Sequence, residues 1–235
     1  MRFLVTRPQP ECGRSADKLR ARGADAVESP MLKLNATVPK VLDLDKVTGL
    51  AFTSSRAVTL LETHAQIGDL RKLPGFAVGG RTADMLKQAG FEDVHSAEGD
   101  VVALSRMIER HQPHGLLLYP CARNHAGNLK KSLAEKQVRC RPIEIYQMEK
   151  CLHFEPAILS DLEAAAFDGV LIYSKRTAEA FVTAMRVAGL KGLPGETHVY
   201  AISPRAAEPF SGHIFVQTAQ RPNEDALLGL ALRVS

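Results

Sequence analysis

Three short loops of this chain are rich in Ser, Thr and Gly and directly follow aliphatic runs. Their candidate residues are Thr53, Ser54 and Ser55, then Gly79, Gly80 and Thr82, and finally Ser174. Where such a loop opens a helix, unpaired backbone N–H groups and the positive end of the helix dipole attract an anion. Glycine at such a place lets the ligand approach the backbone closely. Ser and Thr also cap helices throughout proteins, so plain N-capping is the alternative interpretation.

Such loops can bind an anion in this way only where each one follows a strand and opens a helix. The hydrophobic pattern predicts this alternation of strands and helices. The predicted strands are 2–6, 50–53, 76–78, 116–119, 170–173 and 199–202. A helix is predicted over 10–22, with Gly23 as its C-terminal stop. This alternation is typical of parallel α/β layers, in which the loops after the strands bind ligands.

An internal repeat relates these strand, loop and helix units. The matched segments are 53–58 with 173–178, 77–83 with 201–207, and 3–8 with 116–121. The first pair is offset by 120 residues and the second by 124, as a four-residue difference in loop length would produce. We therefore expect two similar α/β halves, with the ligand bound in a cleft between them. Two proline-introduced extended segments, 30–37 and 142–148, do not fit the alternation and are interpreted as connectors.

Composition narrows the class of protein. The 235 residues are 45% hydrophobic and carry a net charge of +4, which excludes disorder and suits a polyanionic ligand. No apolar run approaches a membrane span, and no signal core is seen, so we expect a cytoplasmic protein without a membrane partner.

Four cysteines without a CxxC indicate reduced thiols. The absence of Trp and of basic–aromatic runs disfavours nucleic acid. His111 and His114 flank a proline and are interpreted as a polar turn, so no metal is expected.

Taken in order, five motifs make the chain resemble the uroporphyrinogen-III synthase family along nearly its whole length. They are LVTRP at 4–8, FTSSRA at 52–57, VGGRTA at 78–83, IYQ at 145–147 and the terminal helix at 223–232. The resemblance implies two flavodoxin-like parallel-sheet α/β domains joined by a two-stranded β ladder. Domain 1 would comprise 1–30 and 152–235, domain 2 would be inserted as 39–141, and the linker strands would be 31–38 and 142–151.

The activity implied is that of a cyclising hydro-lyase without a cofactor. It would convert hydroxymethylbilane to uroporphyrinogen III, with loss of water and inversion of ring D, in haem biosynthesis. The pyrrole nitrogen lone pair expels the hydroxyl, so the main catalytic task is to fold the substrate for attack through a spiro intermediate. Every ring carries an acetate and a propionate, which a basic cleft would host. The upstream hydroxymethylbilane synthase is an expected partner, and the protein is expected to be a monomer.

The resemblance also implies roles for individual residues. Tyr146 falls on the family tyrosine proposed to help the hydroxyl leave, although an aromatic in an alternating strand also simply packs. The candidate substrate-binding residues come from their positions in the loops just past predicted strands, and they are Arg7, Thr53, Ser54, Ser55, Arg56, Gly79, Gly80, Thr82, Ser174 and Ser203. Arg7 and Arg56 would clasp carboxylates, whereas most arginines are merely solvated.

One position departs from the family pattern and keeps other functions open. Ala206 stands where the family more often has a threonine, so the loop after Ser203 would contact substrate only through its backbone. This substitution is the one feature that favours a non-catalytic tetrapyrrole- or anion-binding paralogue. A two-domain sensor of the periplasmic-binding type is the third possibility, and it would need an export signal or an output domain.

Overall fold

The structure, a computed structural model, describes residues 1–111, 115–123 and 126–233. Its strands are β1 Arg2–Val5, β2 Asp25–Glu28, β3 Leu32–Ala36, β4 Val47–Phe52, β5 Gly75–Ala77, β6 Val94–Ser96, β7 Leu116–Ala122, β8 Arg139–Lys150, β9 Gly169–Ile172, β10 His198–Ala201 and β11 Val216–Thr218. Its α-helices are α1 Glu11–Arg20, α2 Ser55–Glu62, α3 Ile67–Leu70, α4 Gly80–Gln88, α5 Val101–His111, α6 Ala126–Ala134, α7 Pro156–Glu163, α8 Lys175–Val187, α9 Pro204–Ala207 and α10 Glu224–Ala231. No helix in these ranges is both long and apolar enough to cross a membrane.

The chain divides into two compact units, one of which is discontinuous in sequence. Unit 1 comprises Met1–Leu34 and Glu149–Ser235, and unit 2 comprises Asn35–Met148. The domain boundaries given by the family resemblance stay a prediction.

Unit 1 is built on a five-stranded parallel sheet in the order β2-β1-β9-β10-β11. The chain moves from β1 outward to β2, then returns to the centre at β9 and continues the other way. One face of this sheet packs on α1 and α10, where Phe3, Leu19 and Leu227 are fully buried. Helix α1 has Glu11 in its first turn and basic residues in its last, which complement the helix dipole. The chain leaves it through Gly23 at φ +81°, as the sequence predicted.

Unit 2 carries most of a six-stranded sheet in the order β3-β8-β7-β4-β5-β6. The pairings of β8 with β7, β7 with β4, β4 with β5 and β5 with β6 are parallel. One face of this sheet is covered by α5 and α6, which bury Leu104, Ile108, Leu129 and Leu133 against Phe76. These helices have the apolar stripe that a surface helix needs in order to pack on a sheet.

The two sheets have the same strand order once the sequence repeat is applied. The repeat pairs β1 with β7 and β9 with β4, and β10 with β5 by the second offset. The order β2-β1-β9-β10-β11 then corresponds strand for strand to β8-β7-β4-β5-β6. In each sheet the order reverses between two central strands, β1 and β9 or β7 and β4. Ligands of open α/β sheets bind outside the carboxyl ends of the strands at such a reversal.

The separate β ladder implied by the resemblance is not confirmed. The extended segments do form strands, β3 and β8, but these lie side by side within the six-stranded sheet. The twelve-residue β8 is long enough to pair with β7 over Arg139–Tyr146 and still continue beyond it. The backbone N–H of Thr37 donates to the carbonyl of Ile145 at 2.8 Å, next to the end of β3.

Candidate functional site

In unit 1 the structure brings Ser174 and Ser203 into one pocket at the carboxyl edge of the sheet. A cavity of about 350 Å³ is lined by the loops after β9 and β10, from Tyr173 to Arg176 and from Ser203 to Ala206. The side chain of Ser174 caps α8 by accepting a hydrogen bond from the N–H of Thr177 at 3.1 Å. Ser203 caps α9 in the same way, through the N–H of Ala206 at 3.3 Å. Both serines therefore cap helices and line a pocket.

The lining of this pocket is cationic. It includes Lys175, Arg176 and Arg205, and Lys175 forms an ion pair with Glu208. The first-turn N–H groups of α8 lack acceptors within the helix, as in any α-helix. Positive side chains and backbone donors in one concave site suit a carboxylate. We call this set of residues cradle 1, defined by Ser174–Arg176, Ser203 and Arg205.

Unit 2 carries the repeat-related loops at the carboxyl edge of its own sheet. Ser54 is extended and caps α2, accepting from the N–H of Arg56 at 3.3 Å. Gly79, at φ −176°, precedes α4 without any side-chain cap, and a Cβ at Gly79 or Gly80 would have open space around it. Thr82 is buried in the first turn of α4. We call this set cradle 2, defined by Thr53–Arg56 and Gly79–Thr82.

Thr53 is held by a residue that the sequence did not single out. The hydroxyls of Thr53 and Tyr119 are 2.9 Å apart, so a hydrogen bond crosses the strand-order reversal between β4 and β7. Burial raises the pKa of Tyr119 to about 12, so the phenol keeps its proton at neutral pH. In unit 1 the corresponding residue types are exchanged: Thr6 directly follows β1, and Tyr173 directly follows β9. Aligning the two halves residue by residue would have shown this exchange.

Arg7 lies at the predicted edge, but its guanidinium is already engaged inside unit 1. It donates to Glu224 at 2.8 Å and to Ser15 at 3.1 Å. Its guanidinium carbon also lies 4.4 Å from the centre of the Tyr173 ring, a cation–π contact. A substrate carboxylate would therefore have to share Arg7 with Glu224.

Tyr146 lies on β8 beside the carboxyl end of β7. It is paired with Ala122, and its carbonyl accepts a hydrogen bond from the N–H of Arg123 at 3.0 Å. Its side chain is 6% exposed. The residue thus shares the sheet edge of Ser54, and its ring is largely packed.

Among the described residues, no three His, Cys, Asp or Glu side chains are grouped so as to hold a metal ion. The His111 ring lies 4.4 Å from that of His95, whereas His114 falls outside the described residues. The four cysteines are free thiols.

Comparisons with known proteins agree with this architecture. The family model described as uroporphyrinogen-III synthase HemD matches residues 13–229. A crystal structure of uroporphyrinogen-III synthetase from Helicobacter pylori is 19% identical, covers all of both chains and superposes with a TM-score of 0.69. A mutant uroporphyrinogen III synthase from the extremely thermophilic bacterium Thermus thermophilus is 17% identical over all of both chains, with a TM-score of 0.52. No curated protein sequence matches the chain.

At these identities the two structures establish a shared fold. The family match covers most of the chain, including the loops of both cradles. The chain therefore belongs to the uroporphyrinogen-III synthase family, the cyclising lyases of haem biosynthesis.

Proposed function

We propose that this chain closes hydroxymethylbilane to uroporphyrinogen III by holding the substrate's carboxylates in cradles 1 and 2. The observation that carries this proposal is the pairing of the cradles by the internal repeat. Ser54 corresponds to Ser174, Arg56 to Arg176, and Arg81 to Arg205. The substrate carries an acetate and a propionate on each ring, and each half of the protein carries a related loop with a serine and an arginine. Repeated carboxylates would therefore meet repeated binding loops.

Each cradle is suited to a carboxylate for the same reason. In each cradle a serine caps a helix and an arginine follows within its first turn. A second loop brings Arg205 into the pocket of cradle 1, and Arg81 holds the corresponding position of the repeat in unit 2. Backbone donors at a helix N-terminus need no reorganisation when an anion arrives, because the helix already orients them. The cradles differ at the position where Thr82 corresponds to Ala206 in the repeat, because cradle 2 has a hydroxyl there and cradle 1 has none.

Holding the carboxylates supplies the positioning that the reaction requires. The pyrrole nitrogen lone pair expels the terminal hydroxyl and leaves an electrophilic azafulvene. The substituted carbon of ring D must then attack to form the spiro intermediate, which opens and recloses with the ring inverted. Fixing the reactants in this geometry is worth several powers of ten in rate. The proposal assigns no step to a metal or cofactor.

Tyr146 is the proposed proton donor to the leaving hydroxyl. Its place on β8, beside the carboxyl end of β7, supports this role because it shares a sheet edge with cradle 2. One general-acid contact contributes about 10²–10⁴-fold in rate. Arg7 has a secondary role in the proposal, since Glu224 already occupies part of its guanidinium.

Variants at the two cap serines test the cradles without removing the caps. Asp is as good an N-cap as Ser, so Ser54→Asp and Ser174→Asp should fold normally while placing a negative charge in each cradle. We expect the KM for hydroxymethylbilane to rise at least about tenfold, because like charges a few ångströms apart repel strongly near a protein surface. Asn223→Asp, at the cap of α10, is the matched control and should leave KM unchanged.

The assay supplies hydroxymethylbilane and resolves uroporphyrinogen isomers I and III. The unmodified chain should give mainly isomer III with no added metal or nucleotide. If only isomer I formed, the proposed reaction would be wrong. If isomer III formed but both Asp variants kept the wild-type KM, the proposed reaction would stand. The role of the cradles in binding the substrate would be disproved.

The location and partners of the protein complete the proposal. Four free cysteines suit the reducing cytoplasm, and the upstream hydroxymethylbilane synthase would supply an unstable substrate directly. We also propose a monomer in solution. Light scattering during gel filtration, alone and with the synthase, tests both the monomer and the complex.

A further inference from the structure

A second cavity of unit 1 lies at the C-terminal end of α8. Its volume is about 510 Å³, within the range of small-molecule sites, and two chain segments line it, 182–193 and 209–213. None of its lining residues belongs to cradle 1, which includes the first turn of the same helix. Lys175 and Met185 are ten residues apart on α8, or about 15 Å along the helix axis. We call this cavity the α8 pocket, and it is separate from the site proposed for the reaction.

Most side chains that line the α8 pocket are apolar. They are Val182, Met185, Leu190, Leu193, Pro209 and Phe210. Three of them, Val182, Leu190 and Pro209, are only partly buried by the rest of the chain. Covering such apolar surface with an apolar ligand is favourable, because it removes the surface from water. The lining therefore suits a ligand with an apolar body.

Glycines keep space open in this lining. Gly189, at φ +79°, follows the end of α8, where helices commonly turn through a glycine. A Cβ at Gly189, Gly192 or Gly212 would meet no atom within 4 Å. The second lining segment is tied to the start of β10, because the Nε2 of His213 donates to the carbonyl of Thr197 at 2.9 Å. A pocket that is formed before its ligand arrives loses less conformational freedom on binding.

The charges of the lining favour an anion. Apart from His213, its ionisable residues are Arg186 and Lys191, and both are exposed. Neither side chain forms an ion pair with another residue in the described part of the chain. The lining contains no Asp or Glu among these described residues. A carboxylate would accept charge-assisted hydrogen bonds from both cations, whereas an ammonium ion would be repelled.

We propose that the α8 pocket binds a small organic carboxylate with an apolar body. Its apolar part would lie against Val182, Leu190 and Pro209, and Arg186 and Lys191 would hold its carboxylate. An apolar cavity with a few polar groups that fix the ligand's orientation is the usual form of a small-molecule site. The proposal is independent of the reaction assigned to the chain.

The probe is 3-phenylpropionate, with 3-phenylpropanamide as its neutral counterpart and propionate as the acid without a ring. Backbone amide shifts of Gly189, Gly192 and Gly212 are followed by NMR in about 0.15 M NaCl, where distant charges are screened. Those of Ser174 and Ser203 report on cradle 1. We expect saturable shifts of the three glycines with 3-phenylpropionate, about five- to tenfold weaker binding of the amide, and no saturation with propionate. Equal binding of the acid and the amide, or saturable shifts at the two serines alone, would overturn the proposal, as would none at the glycines.

Variants at the two cations test how the charge is recognised. Arg186→Gln and Lys191→Gln should each weaken 3-phenylpropionate about two- to threefold, as expected for exposed charge pairs. The double variant should bind the acid and the amide equally. Unchanged binding of the amide in all three variants would show that the pocket is intact. Arg14→Gln, at an exposed arginine on α1 outside the lining, is the matched control. If the double variant still preferred the acid, or the control weakened it as much, the proposal would be wrong.

Discussion

Glu224 joins the C-terminal helix α10 to the rest of unit 1, and replacing it with Gln should destabilise that unit. Its carboxylate accepts hydrogen bonds from Arg7 at 2.8 Å and from Ser15 and Lys18. The Arg7 and Glu224 side chains are 23% and 22% exposed, so water only partly screens the pair. Glu224→Gln keeps the shape and one acceptor oxygen but removes the charge.

The expected loss of stability follows from these contacts. A hydrogen bond to a charged group contributes about 1.5–3 kcal/mol, whereas an exposed pair such as that with Lys18 contributes at most about 1 kcal/mol. Because Gln still accepts one hydrogen bond, we expect a net loss of about 2 kcal/mol. For a protein of this size that corresponds to a Tm lower by about 4–8 °C.

The effect should depend on pH in a defined direction. Burial raises the pKa of Glu224, but the hydrogen bonds from Lys18 and Ser15 and the charge of Arg7 together hold it below the ordinary 4.5. A carboxylate with a lowered pKa stabilises the folded state above its unfolded pKa, and this stability is lost as pH falls through the folded pKa. The gap between wild type and Glu224→Gln should therefore be full at about pH 7 and narrow below about pH 4.5.

Urea unfolding at about pH 7 and about pH 3.5, with hydrogen exchange of α10 peptides, measures this effect within unit 1. Asp225→Asn is the matched control, because its carboxylate is in the same helical turn but 79% exposed and 3.7 Å from Arg22. The control should change stability by less than about 0.5 kcal/mol. A Glu224→Gln loss no larger than that of the control, or one independent of pH, would refute the reasoning.

Three further outcomes are expected. Tyr146→Phe should lower turnover about 10- to 100-fold, at the low end of a general-acid contribution, because the pyrrole nitrogen lone pair also drives the hydroxyl out. An unchanged rate in a folded variant would leave Tyr146 a packing role. Arg56→Ala should weaken uroporphyrinogen binding and flatten its dependence on salt, since exposed charges are screened over about 10 Å at 0.1 M; titration at two salt concentrations measures this. Gly169→Ala should cost about 1–3 kcal/mol, because the added Cβ would lie 2.5 Å from the Tyr200 ring. Gly68→Ala, where the Cβ meets nothing, is the control in the same unfolding assay.

The sequence was most informative where structure depends on neighbouring residues. Ser54 and Ser174 cap helices as their positions after aliphatic runs predicted, because N-capping joins atoms only two or three residues apart. The internal repeat similarly anticipated which strands correspond. The strands β6 and β11 were not predicted individually, because each contains only one aliphatic residue and so lacks the aliphatic run that marked the predicted strands.

Tertiary structure decided the partners of the polar side chains. Arg7 was interpreted as a free carboxylate ligand, but it pairs with Glu224, 217 residues away along the chain. Tyr119 meets Thr53 only because β7 lies beside β4. Such contacts depend on strand order and on the direction of each side chain. Local sequence patterns determine the strands, caps and repeat, whereas long-range packing determines which charged and hydroxyl groups meet.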